Sequence, residues 1–173
     1  MSEELQPKQL SLGELSYAFS EGPNNGPPLL LMHGLSGNQR TWRPVLPYLL
    51  DHFQVFTIDQ RGHGLSSHPG EYNIGLMTND AVHFLETVVQ KKIFVVGHSM
   101  GARIALRLAA TRGDLVNAVV LEDPPLAFGP TIEGHRKVFE FWLELCRKGL
   151  PESEMAEELL EFNGDGDEDQ ARY

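Results

Sequence analysis

The sequence predicts an α/β fold, in which a mostly parallel sheet carries helices on both of its faces. Four short apolar runs, at residues 29–32, 55–58, 93–96 and 116–121, are typical of strands buried on both faces. Segments with apolar residues at helical spacing lie between these runs, so strands and helices alternate as in βαβ units. Such units would bring the carboxyl ends of the strands to one edge of the sheet, where ligands bind.

The remaining elements are predicted in order along the chain. Residues 10–19 alternate unevenly, which indicates one or two short edge strands or a hairpin. A turn rich in Gly, Pro and Asn follows at 21–28. Residues 40–50 predict a helix with Pro44 in its first turn, and residues 77–90 predict a second helix.

Beyond Gly129 the character of the sequence changes. Residues 132–148 and 154–162 predict two amphipathic helices, and an acidic stretch follows them. We therefore divide the chain into a core at 1–129 and a helical segment with an acidic tail at 130–173.

Composition limits the classes of function. The chain has 173 residues, of which 41% are hydrophobic and 22% charged, as in ordinary globular domains. The formal net charge of −10 argues against a surface for nucleic acid or for an anionic membrane. We see no signal peptide and no run long enough to span a membrane, so we predict a cytoplasmic protein. The single cysteine, Cys146, excludes an internal disulfide, and its helical surroundings predict a buried thiol.

The stretch that says most about function follows directly after the third apolar run, at residues 97–101. A strand leads into Gly97-His98-Ser99-Met100-Gly101, and good helix formers follow at once. This is a strand, a sharp turn and a helix, with Ser99 at the apex. The glycines remove side chains that would collide in so tight a turn. The first backbone N–H groups of the helix are directed towards the same point.

Three ordered motifs resemble those of the α/β-hydrolases. They are His33-Gly34, Asp59-X-Arg61-Gly62-X-Gly64-X-Ser66 and the serine turn, and the resemblance covers about residues 29–125. It implies that Ser99 is a nucleophile and that the backbone N–H groups of Leu35 and Met100 form an oxyanion hole. It also implies that the segment after the sixth strand begins a helical lid.

Other residues of these motifs are expected to support the site. By the same resemblance, His33 and Gly34 shape the oxyanion loop, whereas Gly97, His98 and Gly101 orient the serine turn. Because His33, Asp59, Ser99 and Asp123 each follow a predicted strand, we expect them to face one crevice. For Asp59, Arg61 and His63 we favour hydrogen bonds that hold their loop over a chemical role. Asp123 is a weak candidate for the catalytic acid, and we favour an ordinary Asp-Pro turn there.

A serine nucleophile needs a general base, and in this fold a histidine supplies it after the last strand. Histidines occur at positions 33, 52, 63, 68, 83, 98 and 135, and none follows a late strand. We therefore expect an amino-terminal portion of a longer hydrolase, cut within the lid. The alternatives are a natural short form that binds without hydrolysing, or His135 folding back as the base.

The predicted function is hydrolysis of a carbonyl substrate, such as a carboxylic ester, lactone or thioester, by acyl transfer to Ser99. The alternative is a non-catalytic ligand-binding or interaction module on the same fold. The predicted partner is a small ester-like molecule, with self-association through an exposed sheet edge as a further possibility. We predict no cofactor and no metal, since Asp165-X-Asp167-X-Asp169 lacks the glycine that a calcium loop requires.

Overall fold

The computed structural model describes residues 5–125, 140–141, 143–151, 153–155 and 157–158. The chain forms two compact units, at 1–125 and 126–173. In the second unit the described part is mostly helical, at 140–141, 143–148, 153–155 and 157–158. The predicted helices at 132–148 and 154–162 lie partly outside the described residues, and the acidic tail and His135 lie wholly outside them. The boundary at residue 129 and the lid assignment stay predictions.

The first unit contains a six-stranded sheet in the order β1-β2-β4-β3-β5-β6. The strands are β1 (Pro7–Leu12), β2 (Leu15–Glu21), β3 (Pro28–Met32), β4 (Gln54–Ile58), β5 (Ile93–His98) and β6 (Val116–Glu122). Strands β1 and β2 form an antiparallel hairpin, and β2 pairs antiparallel with β4. The pairs β4–β3, β3–β5 and β5–β6 are parallel. The mostly parallel sheet and the hairpin are therefore confirmed.

Helices cover both faces of this sheet, as predicted. On one face α2 (Ile74–Phe84) and α3 (Met100–Thr111) pack over a core that includes Leu30, Phe56 and Val95. On the other face Trp42 and α1 (Leu46–Leu49) cover Leu31 and Val55. Alternate residues of each strand serve the two cores, which is why β3 and β4 are buried along their whole length.

The predicted helix at 40–50 is wrong in its extent. A 3₁₀ turn at Gln39–Trp42 and the four-residue α1 take its place. Pro44 lies between the two short helices and Pro47 lies within α1. Because neither proline has the N–H group that a continuous helix would need, the helix is interrupted here. Asn38 caps the first turn, because its side chain accepts a hydrogen bond from Arg40 N at 2.8 Å.

The helix predicted at 77–90 begins earlier than its apolar pattern indicates. Asn73 caps α2 by accepting a hydrogen bond from Leu76 N at 2.9 Å, so the helix begins at Ile74. It continues as a π-helical segment, Leu85–Val89, and ends at Gln90 in the left-handed conformation.

The prediction for Cys146 is wrong, since its side chain is exposed. Its neighbour Leu145 takes the buried position, with 3% of its surface accessible. Adjacent helical residues point about 100° apart, so a shift of one position on the helix exchanges buried and exposed side chains.

Two further features bear on the predictions made above. Within residues 5–125, β6 lies at one edge of the sheet, and its Val120 side chain is 60% exposed. Over the residues that the structure describes, no helix combines the length and the apolar character needed to cross a membrane.

Candidate active site

Ser99 occupies a strained turn between β5 and α3. Its φ is 48° and its ψ is −109°, a combination that residues other than glycine rarely adopt. The turn is tied on both sides: Ser99 N donates to Glu122 O at 2.9 Å, and Ala102 N donates to Ser99 O at 3.1 Å. The Ser99 side chain is half-buried at the carboxyl edge of the sheet. Strain of this kind persists only where the surrounding structure holds it, which makes the turn a candidate functional site.

The flanking glycines are required by close approach. A methyl group at Gly101 would collide with the carbonyl oxygen of Met32, at the end of β3. At Gly97 it would collide with the carbonyl oxygen of Gly101. The start of α3 therefore lies against the ends of β3 and β5 with no room for a side chain.

The loop after β3 packs directly on the serine turn. A methyl group at Gly34 would lie 2.7 Å from His98 Nδ1 and 3.3 Å from Ser99 Cβ. The next residue in this loop is Leu35, whose side chain is 48% exposed. Within residues 5–125, neither Leu35 N nor Met100 N donates a hydrogen bond to another protein group. Both N–H groups are therefore without a protein acceptor in that range, and their role as an oxyanion hole stays a prediction.

Gly34→Ala is expected to slow covalent labelling of Ser99 by an active-site-directed serine probe. The added methyl must displace the His98 ring or the serine turn, and a shift of about 1 Å near a reacting atom costs about 100-fold. Labelling rates, measured by intact mass, would test this. Ser36→Ala is the matched control, because it removes an atom from the same loop and adds none. Equal rates for Gly34→Ala and the wild type would contradict the expectation.

His33 is fixed as a neutral donor and acceptor. Its Nδ1 donates to Gly34 O at 2.7 Å, and its Nε2 accepts from Gln60 N at 3.1 Å. The side chain is fully buried, and this burial lowers its pKa from 6.5 to about 4, helped by His63 and His98 and opposed by the Gly34 carbonyl. Both ring nitrogens are occupied, so His33 has no free lone pair with which to take a proton from Ser99.

The prediction that Asp59 faces the same crevice as Ser99 is wrong. Although Asp59 follows β4, it is only 1% exposed, and its carboxylate accepts from Gln39 N, Leu65 N and Gln39 Nε2 at 2.7, 2.9 and 3.2 Å. These donors come from its own loop and from the 3₁₀ turn. Asp59 therefore holds the loop, because a buried carboxylate needs such donors.

Asp123 follows β6 and is exposed. Its φ of 43° places it in the left-handed region, together with Ser36 and Ser99 at the ends of β3 and β5. The preceding residue accepts the hydrogen bond from Ser99 N, so the two turns are adjacent. Left-handed backbone at three neighbouring strand ends is not visible in the sequence, where Asp-Pro-Pro indicates only a turn.

The structure adds Gln60, which sequence reasoning missed. Its backbone N–H donates to His33 Nε2, and its side-chain Nε2 donates to His33 O at 2.6 Å. Gln60 therefore brackets His33 and holds the start of the loop that carries Gly34. Its own Oε1 is buried and has no hydrogen-bond partner among the described residues. Its place inside the Asp59-X-Arg61 motif was the signal that could have found it.

The described part of the first unit supplies no general base. None of its histidines forms a hydrogen bond with the Ser99 hydroxyl within residues 5–125. His63 Nδ1 donates to Arg61 O at 3.0 Å, and the ring of His83 lies 3.4 Å from Thr87 Oγ1. His135 is outside the described residues, so the prediction that it folds back stays a prediction.

A sheet of this topology with a serine at a strained strand–turn–helix defines a class of enzyme fold. A model of the alpha/beta hydrolase fold matches residues 27–150, and the chain belongs to that family. It is 34% identical over 127 residues to 2-(acetamidomethylene)succinate hydrolase of Mesorhizobium japonicum. The matched region covers 73% of this chain and 44% of that protein.

Other similar proteins are named for different reactions. Ethanol acetyltransferase 1 of Kluyveromyces lactis is 30% identical over 135 residues, covering 77% of this chain and 34% of that protein. The crystal structure of the enol-lactonase from Burkholderia xenovorans LB400 matches with a TM-score of 0.62 and 28% identity, over 65% of this chain and 45% of that chain. The chain thus spans less than half the length of these relatives.

Proposed function

We propose that the chain carries the nucleophile of a serine hydrolase that acts on a carbonyl substrate, either a carboxylic ester, a lactone or a thioester. The observation that carries the proposal is Ser99 itself, held at a φ of 48° between β5 and the first turn of α3. The contact of Gly34 with Ser99 places a second loop beside it. A strained serine at a helix N-terminus is the geometry from which acyl transfer begins.

In the proposed reaction, Ser99 Oγ attacks the carbonyl carbon while a base takes its proton. The carbonyl oxygen gains negative charge, and the N–H groups of Leu35 and Met100 donate to it. Loss of one such donor costs about 3–4 kcal/mol of transition-state stabilisation. An acyl-serine then forms as the alcohol or thiol departs with a proton, and water releases the carboxylic acid.

The relatives support this reaction class without fixing the substrate. One is a hydrolase, one is an acetyltransferase and one is an enol-lactonase. A shared acyl-transfer step accounts for all three kinds of name, since an acyl group can pass to water or to an alcohol. The proposed partner is accordingly a small ester-like molecule.

We further propose Asp123 as the acid that would orient the base. Its left-handed turn lies next to that of Ser99, and its carboxylate is exposed at the same sheet edge. Hydrolysis also needs a histidine that the described part of the first unit does not supply. The proposal therefore applies to a protein in which that histidine is present.

The second candidate function is a ligand-binding or interaction module on the same fold. The observation that favours it is that no histidine within residues 5–125 forms a hydrogen bond with the Ser99 hydroxyl. A serine without a base would still line a pocket for a carbonyl ligand.

A fluorophosphonate probe separates the two functions. In a protein that contains the histidine, we expect labelling of the wild type at Ser99, located by peptide mass, and none in Ser99→Ala. Ser36→Ala is the matched control and should label like the wild type, whereas Asp123→Asn should label more slowly. Saturable binding of an ester analogue with no labelling would favour the module. Undiminished labelling of Ser99→Ala would show that Ser99 is not the nucleophile.

A further inference from the structure

One cavity of the first unit has a lining that does not include Ser99. It has a volume of about 520 Å³, and Ser20 of β2 and Thr57 of β4 form part of its wall. None of its lining residues is Ser99, Leu35, Met100 or Asp123. Cavities of roughly 300–1,000 Å³ are the usual size of small-molecule sites.

One side of this cavity is apolar. Leu46, Pro47 and Leu50 line it from α1 and the residue after it, and Leu65 lines it from the loop after β4. The Leu65 side chain is 62% exposed, so it is available to cover a ligand. Such a wall favours an aliphatic body, because apolar surface gains from leaving water.

The inner polar groups of the cavity already have partners. Gln39 Oε1 accepts hydrogen bonds from Ser20 Oγ at 2.5 Å and from Thr57 Oγ1 at 3.3 Å. The carboxylate of Asp59, which also lines the cavity, is held by Gln39 and Leu65 N. These groups therefore do not demand a polar ligand, and the charge of Asp59 opposes an anion placed deep inside.

The remaining charged groups of the cavity are cationic. Arg40 and Arg43 line it, and both are exposed, whereas the whole chain has a net charge of −10. Arg43 already interacts with another residue, so Arg40 carries the argument. Among the described residues, the Arg40 guanidinium pairs with no carboxylate. A planar guanidinium binds a carboxylate or phosphate through paired hydrogen bonds.

We propose that this cavity binds an aliphatic carboxylate. The head group lies at Arg40, near solvent, and the chain lies against Leu46, Leu50 and Leu65. The site does not involve Ser99, so the proposal stands independently of the hydrolase reaction.

Isothermal titration of octanoate into the full chain tests the proposal. We expect saturable binding to one site, about 15-fold tighter than for hexanoate, because each buried methylene adds roughly fourfold. Arg40→Gln should weaken it by about tenfold, since it removes a charge-assisted hydrogen bond. Leu65→Asp should weaken it as well. Lys91→Gln is the matched control, since it removes an exposed positive charge outside the cavity and should leave the affinity unchanged.

Further ligands define the outcomes that would overturn it. Octanol binding as tightly as octanoate would refute the anionic head. If octyl phosphate bound more tightly than octanoate, the proposed preference for a carboxylate head group would be wrong. If inorganic phosphate bound as tightly as octanoate, the proposed contribution of the aliphatic chain would be wrong. Equal affinity of Arg40→Gln and the wild type, or weaker affinity in Ser99→Ala, would place the ligand elsewhere. Unchanged circular dichroism of each variant shows that it is folded.

Discussion

Asp80→Ala is expected to lower the free energy of unfolding by about 3–5 kcal/mol, because it leaves the buried Arg61 guanidinium without its counter-charge. The two side chains are each 7% exposed. Arg61 Nε and Nη2 donate to the two carboxylate oxygens of Asp80 at 2.5 Å each. This paired hydrogen bonding to Asp80 raises the pKa of Arg61. A guanidinium is intrinsically basic enough to stay protonated in proteins without such help, so Arg61 keeps its charge when Asp80 is lost.

Tyr17 makes the pair a three-residue network. Its hydroxyl donates to Asp80 Oδ1 at 2.6 Å, and burial together with this carboxylate raises its pKa well above the usual value. The network joins β2, the loop after β4 and α2, which are far apart in sequence. Loss of Asp80 therefore also removes the acceptor of the buried Tyr17 hydroxyl, which adds a desolvation cost.

Urea unfolding followed by circular dichroism measures this effect as a fall in midpoint at unchanged slope. The double variant Arg61→Met with Asp80→Leu should be more stable than Asp80→Ala, since it removes both charges. Asp114→Ala is the matched surface control. It breaks an exposed pair with Arg112, and its stability should stay close to that of the wild type. A double variant no more stable than Asp80→Ala would contradict the buried-charge explanation.

The sheet could be predicted from the sequence because its signals are local. Residues 29–32 and 55–58 are runs of apolar or β-branched side chains, and each matches a strand to within one residue. Burial on both faces forces such composition, whatever the rest of the chain does. The order of motifs at the strand ends likewise identified the turn that carries Ser99.

The errors arose where long-range packing decides the outcome. Asp59 and Ser99 both follow parallel strands, yet Asp59 turns into its own loop because Gln39 and Leu65 offer it backbone and amide donors. The loop-holding role of Asp59 was the favoured prediction, whereas its direction away from the Ser99 crevice depends on donors that folding supplies. The positive φ of Asp123 and the buried contacts of Gln60 with His33 depend similarly on neighbours that only the folded chain brings together.

Acidification is expected to cost this fold about 3 kcal/mol through His33 alone, between about pH 7 and about pH 4. Folding lowers the pKa of His33 from 6.5 to about 4, chiefly through burial. The unfolded chain therefore binds the proton more tightly than the folded chain. The contribution is complete above about pH 6.5 and is lost as the pH falls towards 4.

The geometry explains why protonation is so unfavourable. Nε2 of His33 accepts the backbone N–H of Gln60, and a proton on Nε2 would set two donors against each other at 3.1 Å. Nδ1 already donates to Gly34 O, and no water reaches the ring. Because Gly34 contacts the serine turn, protonation should disturb that turn before the whole domain unfolds.

His33→Asn tests the assignment, because its amide can still donate towards Gly34 O but does not titrate. The variant should be less stable than the wild type at neutral pH. Its unfolding free energy, however, should fall by about 3 kcal/mol less between about pH 7 and about pH 4. His68→Gln, at an exposed histidine, is the matched control and should keep the wild-type pH dependence. Parallel stability curves for His33→Asn and the wild type would mean that some other group causes the acid sensitivity of this fold.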